Sequence, residues 1–388
     1  MKRNWIICLL AAVLAAGAFV ATNSAAALAL AGVSVLAPVA SILFGRATAA
    51  RTDIAIDFQR SCTAGQQLDM AITVRRPALS RNRIRLVLQF RNLLTGTVNN
   101  LPVTLAPASG AEERFELPLD TSCCGRIEVS LVSARATDSL GFADVAVENI
   151  ALESSYTVYP PITDIMAQTT QANRSSISGT TYDYHRKGQD RTEVFDLREF
   201  AEGDSLKSVH WKLSARFGDL MVREPSRPTD YDITLLCNGH AISANAGSAA
   251  VLNGVLAVTA SVSLSLIQQG LSHSVAYAAD GNLESRFVDS RTSFNTMLDV
   301  LVGTPVPVGY ASDIAAFEEF RRAHNVTRTV LVTDAMNEDL TAQLSRITDL
   351  SVLHISEGAQ AGIDRSGGYT LTHIPVETIG ERIKNLEL

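Results

Sequence analysis

The residues best equipped for chemistry gather between Phe195 and Pro225, in the run FDLREFAEGDSLKSVHWKLSARFGDLMVREP. Arg198, Asp204, His210, Trp211, Lys212, Arg216 and Arg223 bring charge, an imidazole and an indole into a chain that is elsewhere aliphatic and mild. Such a set could bind a partner surface, or could offer Asp204 and His210 as an acid–base pair to a hydrolase. The chain has no G-x-x-x-x-G-K-[ST] phosphate loop and no G-x-S-x-G nucleophile elbow. The plainer reading is structural, because Arg and Asp in a compact turn form bidentate pairs that fix a domain junction.

The surrounding pattern says how these groups are held. Val194 to Phe200 alternates as a strand. Gly203 and Asp204 read as a turn and a helix N-cap, since an Asp side chain accepts from the first unpaired N–H groups. Leu206, Val209 and Leu213 then fall on one apolar stripe of a short helix, which Gly218 ends in a left-handed cap. Leu220 to Val222 starts a second strand. This unit predicts that Asp204 and Arg216 are paired and partly buried, with Lys207 and Lys212 exposed.

The string LREFAEGDSLKSVHWKLSARFGDLMVRE closely resembles the signature of the bacterial domain of unknown function 58 (DUF58) family. Arg198, Phe200, Gly203, Asp204, Lys207, Trp211, Lys212, Ser214, Ala215, Arg216 and Glu224 hold the matching positions, with Val209 where Ile is usual. Three earlier segments also resemble family motifs: Cys124-Gly125-Arg126, the turn Asp138-Ser139-Leu140-Gly141-Phe142, and Val158-Tyr159-Pro160. Ser139 stands where the family carries Pro, while Gly141 keeps the freedom for a positive φ. The resemblance implies a C-terminal von Willebrand factor A-like domain. It also implies work beside a MoxR-type AAA+ ATPase and other membrane proteins, in envelope assembly or protein maturation.

Von Willebrand A domains can hold Mg²⁺ through D-x-S-x-S after the first strand, together with later Thr and Asp residues. Laid on this chain, that motif meets Cys237, Gly239 and Ala241, leaving Asp334 as the one carboxylate. Mg²⁺ needs an octahedral set of oxygens, so the metal site is expected to be lost, and no cofactor is expected. His240 beside Asp334 reads as a loop histidine, not as an acid–base partner. Gly358 to Gly368 is Gly-rich but lacks a following Lys.

Bulk properties bound the rest. The chain has 388 residues, a formal charge of −7 and five cysteines with no metal-ligand spacing. The acidic balance argues against a nucleic-acid partner, and the cysteine usage suits a reducing, cytosol-facing compartment. Trp5 to Val20 and Ala25 to Phe44 are apolar runs separated by Thr22-Asn23-Ser24. Lys2 and Arg3 precede them, and Arg46 and Arg51 follow, which predicts a helical hairpin in the cytoplasmic (inner) membrane with both flanks inside. A signal peptide ending near Ala25-Ala26-Ala27 is the rival reading; the second apolar run disfavours it.

Past the hairpin, residues 54–58, 68–74, 84–90 and 127–131 alternate with period two. Short alternating strands predict a fibronectin- or immunoglobulin-like β-sandwich over 51–160. Residues 161–190 read as a polar linker, 191–230 as the signature unit, and 231–388 as an α/β domain with a mainly parallel, Rossmann-like, doubly wound sheet. An almost uncharged helix over 249–268 should be buried against that sheet, and a last helix is expected over 376–385. The expectation is a bilayer-anchored, non-enzymatic scaffold or adaptor, against the alternative of a hydrolase.

Overall fold

The computed structural model describes residues 2–77, 80, 82–106, 112–138, 140–153, 155–168, 182–200, 209–228, 233–239, 249–279, 282–305, 314–324, 326, 328–358, 361–365, 368–379 and 385–387. Two units divide the chain, one of Met1–Tyr159 with Val302–Pro305 and one of Pro160–Leu301 with Val306–Leu388.

The first unit opens with α1 (Lys2–Thr22) and α2 (Ala25–Ala49), reversed at Asn23 in the left-handed region. Both are apolar all round and long enough to cross a membrane. Ten strands follow: β1 (Asp53–Phe58), β2 (Ser61–Thr63), β3 (Asp69–Arg75), β4 (Arg83–Asn92), β5 (Val98–Leu105), β6 (Glu112–Pro118), β7 (Gly125–Thr137), β8 (Asp144–Ala146), β9 (Ile150–Leu152) and β10 (Ser155–Tyr159). One sheet runs β6-β3-β1-β9, and the other runs β2-β10-β7-β4-β5 with β8 alongside β7. The alternation puts Ile54, Ile56, Met70 and Ile72 of the first sheet against Ile84, Leu86, Leu88 and Val129 of the second, in one core. Each such side chain contributes roughly 1.5–3 kcal/mol by leaving water. Ala49 belongs to the same core, so α2 ends inside the sandwich and not on a tether.

The second unit begins with β11 (Met166–Gln168) and β12 (Tyr182–Glu199), both within or overlapping the stretch expected to be linker. There follow α3 (Trp211–Phe217), β13 (Met221–Pro228), β14 (Ile233–Asn238), α4 (Ala249–Gln268), β15 (His273–Ala279), β16 (Asn282–Val288), α5 (Arg291–Gly303), α6 (Ile314–His324), β17 (Arg328–Thr333), α7 (Glu338–Ile347), β18 (Asp349–Ser356), β19 (Gly362–Asp364), β20 (Thr370–Pro375) and β21 (Asn385–Glu387). A seven-stranded sheet has the order β16-β15-β14-β17-β18-β20-β19 among the described residues. The five strands from β15 to β20 are parallel, and both edge strands are antiparallel. The order reverses at β14, since β15 lies on one side of it and β17 on the other.

Leu236, Ala276, Leu331 and Val352 share one register row and pack under Phe317 and Phe320 of α6 and Leu340 and Leu344 of α7. The alternate rows face α4, where the Cys237 thiol hydrogen-bonds Thr259. Of the helix expected over 376–385, the chain shows a 3₁₀ turn at Val376–Thr378 that leads into helical Ile379; residues 380–384 lie outside the described residues, and Asn385–Glu387 pairs in parallel with β11.

Candidate functional site

The signature unit is built on one serine. Ser214 is 7 % exposed; its hydroxyl donates to the His210 carbonyl at 3.1 Å and accepts the Met221 N–H at 2.9 Å. His210 N–H in turn donates to the Met221 carbonyl at 2.7 Å, so α3 and β13 are clamped by a closed set of polar contacts. The helix begins at Trp211 with His210 as N-cap, its Nδ1 3.4 Å from the Leu213 N–H, and ends on Gly218 in the left-handed conformation. The end is as expected and the start is not. Val209 is extended and bridges to Val222, which removes it from the Leu206-Val209-Leu213 stripe.

The other signature residues fall into two groups. Arg198 lies in β12, in register with Val222, and its side chain is outside the described residues, as are Gly203, Asp204 and Lys207. Trp211, Lys212 and Arg216 are all exposed, Trp211 by 62 %. For Lys212 that was expected, whereas Arg216 was expected to be partly buried. On a helix of this length Arg216 lies off the face that Ser214 turns inward, and its head reaches water.

A second polar arrangement crosses the carboxyl edge of the parallel sheet. Asn238, Thr333, His354 and His373 occupy one register row, on the face covered by α6 and α7. Asn238 Nδ2 donates to Thr333 Oγ1 at 3.2 Å, and the Nδ1 atoms of His354 and His373 lie 3.0 Å apart. Two such nitrogens share one proton and repel once both rings are charged. Burial and the facing imidazole push His354 down from its usual range, against a hydrogen bond to the Asp334 backbone. The sequence carried a signal for this pair, because β18 and β20 both contain His-Ile, and pairing Ile355 with Ile374 sets the histidines opposite one another.

The Mg²⁺ ligands implied by the resemblance do not fit here. Cys237 is buried against Thr259, and burial pushes its thiol up to about 11. Gly239 offers no donor, its open side closed by Leu252 at 3.1 Å, and Ala241 lies outside the described residues, as does His240. Asp334 sits at the end of β17 as the one carboxylate. Among the described residues no group of three or more His, Cys, Asp or Glu side chains is spaced to hold a metal.

Ser263 and His273 meet at 2.7 Å, the separation of a nucleophile and its base. Both are fully buried between α4 and β15, and the His273 Nδ1 is 3.2 Å from the Leu271 carbonyl. A substrate cannot reach them, so this pair is a core contact. Sequence reasoning did not single it out.

Residues 196–374 match the family model described as "Protein of unknown function DUF58". No curated protein matches the chain. Among solved structures, a cohesin module from Clostridium perfringens is 10 % identical over 27 % of this chain and 99 % of its own, with a TM-score of 0.20. A CARDB domain from Pyrococcus furiosus is 13 % identical over 28 % of this chain and 86 % of its own, at 0.18. A Bacteroides uniformis β-glucuronidase is 8 % identical over 78 % of this chain and 33 % of its own, at 0.19. At that level of similarity none of the three bears on fold or activity.

Proposed function

The chain belongs to the DUF58 family, which its residues 196–374 match, and from that premise we propose that it is a membrane-anchored, non-enzymatic adaptor. The observation that carries this reading is the division of labour on α3. Ser214 turns inward to hold the unit together, while Trp211, Lys212 and Arg216 face water in a signature whose residues the fold alone does not demand. A large exposed indole beside two cations is the composition of a protein-binding hot spot, where Trp and Arg are enriched. Those residues dock a partner, and the resemblance makes a MoxR-type AAA+ ATPase the first candidate, with other membrane proteins alongside and a role in envelope assembly or maturation.

In this reading α1 and α2 form a hairpin in the cytoplasmic membrane and the rest of the chain lies in the cytoplasm. The first two sheets are a fibronectin- or immunoglobulin-type sandwich. The seven-stranded sheet is a von Willebrand A-type domain whose Mg²⁺ position has been given over to Cys237 and Gly239.

Affinity capture from crosslinked membranes tests the adaptor reading. Wild type should retain an AAA+ ATPase that Trp211→Ala and Arg216→Ala both lose while accumulating normally. Retention by both variants would overturn the docking role of α3. A reporter fused after Leu388 should be active only in a cytoplasmic compartment, and activity outside the membrane would reverse the topology.

A further inference from the structure

The first unit fixes the height at which the sandwich meets the bilayer. The apolar span of α1 covers Asn4–Thr22, 19 residues, which at 1.5 Å each is about 28 Å. A hydrocarbon core is about 30 Å thick, so the span has no slack, and Asn4 and Trp5 must lie at its boundary. Both touch the sandwich. Asn4 Nδ2 donates to the Leu140 carbonyl at 2.7 Å, and the Trp5 ring meets Phe142 edge-on, with centroids 5.4 Å apart. On α2, Ser41 donates to the carboxylate of Asp138, and Asn82 Nδ2 donates to the Gly45 carbonyl at 3.1 Å and to Thr48 at 2.9 Å.

The turn carrying Asp138, Leu140, Gly141 and Phe142 is therefore held by both helices at one level. Asp138 is 6 % exposed, its second oxygen accepting the Ala143 N–H at 2.6 Å, so its charge is satisfied inside the joint. Gly141 has a φ of 74°, and a side chain there would meet Asn4 at 2.8 Å, so the turn needs this glycine to lie against α1. Leu140 is left 51 % exposed where its carbonyl meets Asn4, and Ile6 and Ile7, just beyond on α1, are also bare.

We infer that this turn is a lipid-contacting element, in which Leu140 enters the boundary between headgroups and acyl chains beside the start of α1. The inference rests on the reading that α1 and α2 span a bilayer. The occupant is lipid and not protein because Leu140 borders the span itself, next to an indole of the kind that marks membrane interfaces. The sandwich supplies its own control. Arg83 of β4 pairs with Thr137, the residue before Asp138, while Arg91 at the other end of β4 pairs with Val98. Eight residues of strand put Val98 about 26 Å from the turn. Val98 is 50 % exposed, as apolar and as bare as Leu140 but far from the joint.

The full chain, reconstituted in phosphatidylcholine–phosphatidylglycerol vesicles, decides the matter by quenching with lipids brominated at shallow or deep acyl positions. With Trp5→Phe and Trp211→Phe as background, single tryptophans replace Leu140, Val98 or Val13. Val13→Trp, mid-span, should be quenched most by deep bromines. Leu140→Trp should be quenched at least twofold more by shallow than by deep bromines, and Val98→Trp by neither. Native Trp5, read in the single variant Trp211→Phe, gives the same level without touching the turn and should also favour shallow bromines. If Leu140→Trp ignores bromine while Val13→Trp is quenched, the turn stands clear of lipid and the inference falls, although the span survives. If Trp5 is quenched mainly by deep bromines, the joint is not at the boundary and the inference falls. If Val13→Trp is not quenched either, the spanning reading fails and takes the inference with it.

Discussion

Helices α1 and α2 on one side and α4 on the other are nearly interchangeable in composition. All three are long and apolar enough to cross a membrane, yet 6 % of each of the first two spans is buried, against 72 % of α4. Their hydroxyls tell them apart. Thr22 donates to the Ala18 carbonyl and Ser34 to the Leu30 carbonyl, each closing on its own helix as a lipid environment demands, and Ser41, which donates to Asp138, lies at the joint with the sandwich. On α4, Ser263 reaches His273 and Ser261 accepts the Thr163 N–H, both outside the helix. An apolar helix whose hydroxyls away from the joint close on themselves suits lipid, and one that, besides closing Thr259 on the Val255 carbonyl, sends hydroxyls to partners along its length belongs to a core.

The glycines give the largest test of that contrast. A side chain at Gly254 of α4 would meet Ile355 and Ile379 at 2.9 Å, whereas Gly32 of α2 has nothing within 4 Å. Overpacking a core typically costs 1–3 kcal/mol, and a leucine against two isoleucines at that distance should reach about 3 kcal/mol or more. Gly254→Leu is therefore expected to collapse accumulation of the chain, while Gly32→Leu leaves membrane insertion and melting unchanged. A Gly32→Leu defect equal to that of Gly254→Leu would mean that the hairpin also packs into a protein core.

The buried histidine of β15 that partners α4 also makes stability depend on pH. Burial pushes His273 down from 6.5 to about 4, so the folded state holds it neutral. Between those values the unfolded chain binds the extra proton, and stability is present above pH 6.5 and lost as pH falls toward 4. The displacement is worth about 3 kcal/mol. Urea unfolding of the full chain in detergent should show that loss, and His273→Gln should flatten it. An equally steep pH dependence in the variant would assign the effect to other groups.

What could be read from the sequence, and what could not, follows the same line between local and long-range causes. Alternation at Ile54-Ile56 and Ile84-Leu86-Leu88 announced strands, because each residue's face is set by its immediate neighbours. Gly218 announced a helix end for the same reason. Val209 misled, because a helical stripe with Leu206 and Leu213 is a weak pattern next to a bridge with Val222 that spacing cannot show. The end of β12 was legible in Val194 to Phe200, but its beginning was read as linker because Tyr182 to Gln189 has no apolar alternation, and its ladder to β13 is interrupted by register shifts. In the candidate site, Trp211, Lys212 and Arg216 were visible by type and Lys212 was read as exposed, but that Arg216 also reaches water was not legible. Ser214 acts through Met221, seven residues on and in another element. The joint of Asp138 with Ser41 links residues 97 apart and had no local signal at all.

The two sides of α3 permit a smaller, sharper comparison. Ser214→Ala removes the acceptor of the Met221 N–H and the donor to His210, which should cost about 1–3 kcal/mol for groups left without partners. Lys212→Ala and Arg216→Ala, both at exposed positions, should stay within about 0.5 kcal/mol. Thermal melts of the full chain distinguish them. An Arg216→Ala loss as large as that of Ser214→Ala would restore the structural role for Arg216 and weaken the docking role of α3.

The smallest expected effect is none at all, and it concerns the two ends of the polar row on the seven-stranded sheet. At the β14 end, where a metal would be sought, the side chains are the Cys237 thiol turned toward Thr259 and the neutral amide of Asn238 donating to Thr333. Mg²⁺ binds hard oxygens and prefers several of them, and a buried thiol with its proton held on up to about 11 is a poor ligand for it. A ligand present at a hundred times its dissociation constant adds about 2.7 kcal/mol of stability, well above the scatter of a melt. Millimolar Mg²⁺ or Mn²⁺ should thus leave the midpoint of the full chain where it was. A Mg²⁺-dependent rise that Asp334→Asn abolishes would falsify the loss of the site, and would mean that the β14 end assembles oxygen ligands around Asp334.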